Sequence, residues 1–107
     1  MKFLIFMQLF CFVKLETIMI NEIDKSTTKI DISYSNLKSL KGGNLSNFNK
    51  LEELNIEFNN VNYIESKFFS CINLKILKLG NNQLTHINKS IFSNLINLEY
   101  LDLKSII

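Results

Sequence analysis

The chain has 107 residues, enough for one domain at most, and 47% of them are apolar, which suffices for a small core. Its formal net charge of +2 excludes, on composition, both a nucleic-acid binder and a membrane-surface binder. All 12 basic residues are Lys, there is no Arg, Pro, Trp or Ala, and Asn occurs 15 times. Two causes compete for the Asn excess: a structural ladder of amides, or an A+T-rich coding sequence favouring Lys, Asn, Ile and Phe. Most of the Asn residues stand outside any ladder position, so the coding bias takes most of the weight.

The chain opens with Met1-Lys2 and a run from Phe3 to Val13 in which Gln8 is the only polar residue. A short positive start and an apolar stretch of this length read as a secretory signal peptide over residues 1–16, cleaved somewhere within 13–20, although no pair of small residues marks the site. The run is too short to span a bilayer, which needs about 20 apolar residues. The alternative is a buried strand or helix at the end of the fold. With the signal removed, Cys11 leaves and Cys71 is the sole cysteine, so no intrachain disulfide forms. Cys71 falls among apolar residues and reads as a small buried side chain. Residues 17–26 are a lead-in segment, polar from Asn21 to Ser26.

From Thr27 onward one phrase recurs. Its fourth-place residues Ile30, Leu54, Leu77 and Leu101 stand 24, 23 and 24 residues apart. The repeats cover 27–50, 51–73, 74–97 and a partial 98–107. Self-similarity at such a period marks a stacked solenoid, in which each unit buries its apolar face only against its neighbours. Alternating residues predict strands at Lys29–Ser33, Glu53–Glu57 and Ile76–Leu79, paired in parallel about 4.8 Å apart. Leu40, Ile64 and Ile87 align; so do Leu45, Phe69 and Phe92, and Phe48, Ile72 and Leu95, with the second repeat one residue short just after Ile72. Asn59 and Asn82, with Ser35 in their place in the first repeat, sit where the chain leaves the strand. A carboxamide there can satisfy turn backbone groups inside the core. Phe69 and Phe92 fill the wide part of the coil.

Leu74, Leu77, Leu79, Asn82, Leu84, Ile87, Phe92, Leu95 and Leu98 resemble the leucine-rich repeat pattern LxxLxLxxNxLxxIxxxxFxxLxxL. The resemblance implies an α/β solenoid of about 3.5 repeats, with a short parallel sheet on the concave face and irregular or short helical returns. The period near 24 and the return-segment phenylalanine are similar to the typical extracellular subclass, as in the repeat arrays of Toll-like and related insect and animal secreted or surface proteins. Such members usually carry cysteine-rich caps; this chain carries none, and Ile106 stands where an Asn is expected. The last strand is then an open sheet edge.

No residue pattern supports catalysis. His86 is the one histidine and reads as a solvated loop residue. There is no zinc spacing, dinucleotide fingerprint or phosphate loop, so no cofactor and no metal are expected. Glu52-Glu53 are successive and point to opposite sides of a strand. What the fold offers is its sheet face, and the resemblance implies a protein ligand there. The outward columns are Lys29, Glu53, Ile76, Tyr100; Asp31, Asn55, Lys78, Asp102; Ser33, Glu57, Gly80, Lys104; and, at the turn edge, Tyr34, Phe58, Asn81, Ser105. Candidate ligand-binding residues are Tyr34, Asn55, Glu57, Phe58, Ile76, Lys78, Tyr100 and Asp102, because aromatics among charges make good interface anchors. Sequons at Asn44 and Asn88 lie on return segments. The expected function is a non-enzymatic, secreted or extracellular protein-binding module. The alternatives are an assembly fragment pairing through its uncapped C-terminal repeat, or a truncated piece of a larger receptor-like protein.

Overall fold

The repeated phrase folds into four parallel strands laid side by side in chain order. The computed structural model describes residues 22–41 and 45–105, so the expected signal peptide, Asn44 and Ile106 lie outside the described residues. The strands are β1 (Lys29–Asp31), β3 (Glu53–Asn55), β5 (Ile76–Lys78) and β6 (Tyr100–Asp102), in sheet order β1-β3-β5-β6. Two shorter strands, β2 (Ser39–Leu40) and β4 (Tyr63–Ile64), form a second parallel pair on the return side. A 3-10 turn, Lys89–Phe92, follows in the third repeat.

The register matches the columns read from the sequence. Ile30 pairs with Leu54, Leu54 with Leu77, and Leu77 with Leu101, so identical places in successive repeats face one another. Ile30, Leu54 and Leu77 are buried, as are Leu51 and Leu74, Ile56 and Leu79, and Leu37, Val61 and Leu84. Each column continues under its neighbour, giving one unbroken core. Phe69 is fully buried and stacks on the half-buried Phe92, with ring centroids 6.4 Å apart. Phe68, not singled out in the sequence, is buried too and meets Phe69 edge-on at 5.5 Å.

Three expectations need correction. The strands are three residues long rather than up to five. Asp31 and Asn55 each turn a side-chain oxygen back to the amide two residues on, Ser33 at 3.0 Å and Glu57 at 2.9 Å, and this closes a turn that competes with the extended ladder. The column Phe48, Ile72, Leu95 is wrong in its middle member. Cys71 is fully buried there while Ile72 is 51% exposed. The amides of Leu51, Leu74 and Leu98 donate to the carbonyls of Phe48, Cys71 and Leu95, so the missing residue lies before Cys71, between it and Phe69. The shortening leaves the Ser70 hydroxyl buried without a partner. Finally, the return segments of the first two repeats are not irregular throughout, since Leu40 and Ile64 pair in a ladder.

The amides at the ninth place hold the turns. Asn59 is buried; its Oδ1 accepts from the amides of Ser35 at 2.9 Å and Leu37 at 3.0 Å, and its Nδ2 donates to the carbonyls of Ile32, Ile56 and Glu57. Asn82 repeats the arrangement one coil later, accepting from Val61 and donating to Ile56, Leu79 and Gly80. Ser35 has no side-chain amide, and its hydroxyl donates locally, to the Ser33 carbonyl at 3.2 Å. Asparagines outside the ninth place make structural contacts as well. A second, exposed ladder runs Asn36–Asn60–Gln83, and a third uses Asn73 on the Asn49 carbonyl and Asn97 on the Ile72 carbonyl. Repetition at one period turns any favourable amide contact into a column.

Asn59→Ala strands two turn amides and their carbonyl partners in the core. It should cost about 3 kcal/mol in urea unfolding, against under about 1 kcal/mol for Asn60→Ala on the exposed ladder. Equal losses for the two variants would refute the assignment.

Candidate functional site: the open sheet face

The register places the outward side chains in rows, one per repeat. Row one carries Lys29, Asp31, Ser33 and Tyr34; row two Glu53, Asn55, Glu57 and Phe58; row three Ile76, Lys78, Gly80 and Asn81; row four Tyr100, Asp102, Lys104 and Ser105. The turn-edge column shares one backbone state: φ is 56° at Tyr34, 57° at Phe58, 57° at Asn81 and 65° at Ser105. Left-handed backbone costs a non-glycine residue about 1–2 kcal/mol. At the first three it is held because the amide still completes a ladder bond: Tyr34 to the Glu57 carbonyl at 3.2 Å, Phe58 to Gly80 at 3.2 Å, Asn81 to Lys104 at 2.9 Å.

The candidate residues divide into two kinds. Tyr34, Phe58 and Tyr100 are exposed, at 69%, 44% and 51%, and present ring surface to solvent. The Tyr34 and Phe58 rings stack in parallel, 4.7 Å between centroids and 4° between planes. Asn55 and Asp102 are half-buried, and each spends an oxygen on a local turn, Asp102 on the Lys104 amide at 2.9 Å. Their column is therefore partly structural, which its alternation with Lys78 concealed. Ile76, Lys78 and Glu57 are half-buried on the face. Lys29 reaches Glu53, Nζ to Oε1 at 3.6 Å. Gly80, which the sequence leaves open to a ligand, is covered. A Cβ there would lie 3.3 Å from the Lys104 Cβ and carbonyl oxygen, so glycine is what lets the last turn approach.

Off the face, a cavity of about 270 Å³ opens on the return side between the second and third repeats, lined by residues including Tyr63, Ile64, Ser66, His86, Asn88 and Ile91. It arises because the return ladder stops. Asn62 and Glu65 donate to the Lys38 and Leu40 carbonyls, but the third repeat supplies only the Gln83 amide to the Val61 carbonyl. No sequence signal marks this break. His86 is exposed beside the cavity, its Nδ1 3.3 Å from the Thr85 hydroxyl. Asn88 is exposed and caps the 3-10 turn, accepting from the Ser90 amide at 3.0 Å. Among the described residues no cluster of His, Cys, Asp or Glu could hold a metal ion, and no helix is long and apolar enough to cross a membrane.

Four rows in strict parallel register, with asparagine amides at the turn between rows, are the geometry of a repeat solenoid, and residues 72–105 match the family model described as Leucine rich repeat. That segment is similar to a leucine-rich repeat. The same columns run back to Lys29, so the described chain has one parallel-stranded solenoid fold throughout, consistent with that of leucine-rich repeats. Leucine-rich repeat modules generally bind proteins and are usually not enzymes. No curated protein matches the chain.

Burial pushes the Cys71 thiol up from its ordinary 9.0 to about 11. The neutral thiol is favoured in the folded state, so its contribution to stability is complete below pH 9.0 and is lost as pH rises towards about 11. The urea midpoint should fall across that window more steeply in the native chain than in Cys71→Ala. Iodoacetamide should label Cys71 only once the chain is unfolded; rapid labelling of the folded protein would contradict a sealed core thiol.

Proposed function

We propose that this chain is an extracellular leucine-rich repeat module that binds a protein ligand, without chemistry, on the open face of its four-stranded sheet. The observation that carries this reading is the exposure of Tyr34, Phe58 and Tyr100 on that face while the core columns beneath are sealed. Large aromatics held rigidly among charges are the side chains from which interfaces draw most of their energy. The ligand-contacting set is Tyr34, Glu57, Phe58, Ile76, Lys78 and Tyr100, with Asn55 and Asp102 contributing their remaining polar groups.

The extracellular part rests on the sequence: an apolar run after Met1-Lys2 as the signal over residues 1–16, a period near 24 like that of Toll-like and related secreted or surface proteins, and sequons at Asn44 and Asn88. Asn88 is exposed on the return side, where a glycan would leave the sheet face clear. Photocrosslinking tests the face. Benzoylphenylalanine at Tyr34 or Tyr100, presented to secreted proteins of the source organism, should form a discrete adduct. The same group at Tyr63 or Ile96, exposed on the return side, should not. Equal adducts from both sides would overturn the assignment.

A second reading, self-association, has its own observation. Leu101 is 36% exposed, whereas its column mates Ile30, Leu54 and Leu77 are buried. A strand edge above an apolar column invites another strand. Sedimentation should then show a concentration-dependent dimer that Leu101→Lys abolishes; a monomer at all concentrations removes this reading.

A further inference from the structure

The sheet face is not uniform, and its unevenness specifies a partner chemistry. Three of its four carboxylates, Asp31, Glu53 and Glu57, stand in the first two rows, whose only basic side chain, Lys29, is 3.6 Å from Glu53; the fourth, Asp102, stands in row four with its Oδ1 accepting from the Lys104 amide. The further lysines of the face, Lys78 and Lys104, stand in rows three and four. At the edge of the acidic half stand the stacked rings of Tyr34 and Phe58, 69% and 44% exposed. Their backbones are pinned by left-handed φ and by ladder bonds, so a ligand need not order them. The two rings cover each other on one side only, and Tyr34, first in the column, is the more exposed of the pair.

We propose that this half of the face seats an arginine or lysine side chain of the protein partner, the cation lying against the Tyr34 ring with Glu57 and Asp31 supplying the opposing charge. The inference rests on the sheet face being the binding surface. Two arguments select a cation over an apolar anchor. An apolar group placed on the rings would strip water from neighbouring carboxylates and return nothing for it, whereas a cation replaces that water with charge. The negative quadrupole of a ring face also attracts a cation directly, most strongly for guanidinium groups. Phosphate-bearing partners are repelled from the same rows.

The probe is acetyl-Gly-Arg-Gly-amide titrated into the full chain by NMR, with the citrulline peptide as an uncharged control of the same shape. The arginine peptide should shift the Tyr34 and Phe58 ring signals and the amides of residues 33–35 and 57–59. Citrulline should bind at least about fivefold more weakly. Tyr34→Asn, which keeps a residue tolerant of left-handed backbone, should abolish the shifts with other amides unmoved. Glu57→Gln should weaken binding and flatten its salt dependence. Equal binding of arginine and citrulline peptides, or shifts centred on Lys78 and Lys104, would overturn the cation seat. A flat titration beside photo-adducts confined to the face removes the seat and leaves the protein-binding face intact. Arginine-selective shifts without face adducts do the reverse.

Discussion

The whole arrangement depends on two carboxamides, Asn59 and Asn82, one at each junction among the first three coils. A solenoid must turn sharply after each strand, and the turn carries backbone donors and acceptors into a region that water does not reach. Asn59 answers this with one acceptor shared by Ser35 and Leu37 and donors shared among three carbonyls, so one side chain ties its own turn to the turn before it. The apolar columns supply the bulk of the cohesion, but they are non-directional. It is the amide that keeps strand under strand at one register and so keeps the outward side chains in rows.

Repetition made most of this legible in advance. The strand register, the amide ladder, the burial of Cys71 and the turn-edge column of Tyr34, Phe58, Asn81 and Ser105 all follow from counting one period forward. The failures share a cause as well. Where the period slips by one residue, counting cannot say on which side of Ile72 the gap falls; packing decides, and it prefers Cys71 inside. The turn-capping duty of Asn55 and Asp102 was hidden for a different reason. A polar residue pointing outward looks identical in sequence whether it serves a ligand or its own backbone two residues on. The return-side cavity depends on hydrogen bonds that the third repeat does not make, and an unmade bond leaves no pattern in a sequence.

The division of labour between inward and outward residues also explains why function is harder to reach than fold. Inward places are constrained by two neighbours and by the amide, and few residue types satisfy them. Outward places meet mainly solvent and one another, as where Gly80 admits Lys104, Lys29 meets Glu53, Tyr34 stacks on Phe58, or Asp31, Asn55 and Asp102 cap their own turns. Freedom at those places is what lets one frame carry many recognition surfaces. In this chain the freedom has been used unevenly, with the stacked aromatic pair and three of four carboxylates early and two of three lysines late.

The interrupted return ladder between the second and third repeats bears on where the solenoid opens. On the sheet side the spacing of successive coils is set by unbroken strand pairing from β1 to β6. On the return side the backbone-to-backbone bonds present between the first two coils are reduced to one, Gln83 to Val61, at the next junction, beside the side-chain bonds of Asn82, Gln83 and Asn97. A coil pinned along its sheet side and held by fewer backbone bonds on its return side resists separation least on the return side, so that junction is where the solenoid opens most easily. The joint lies between the rows of Glu57 and Lys78. Any flexing of the arc there alters the distance between its acidic and basic halves before it alters anything else.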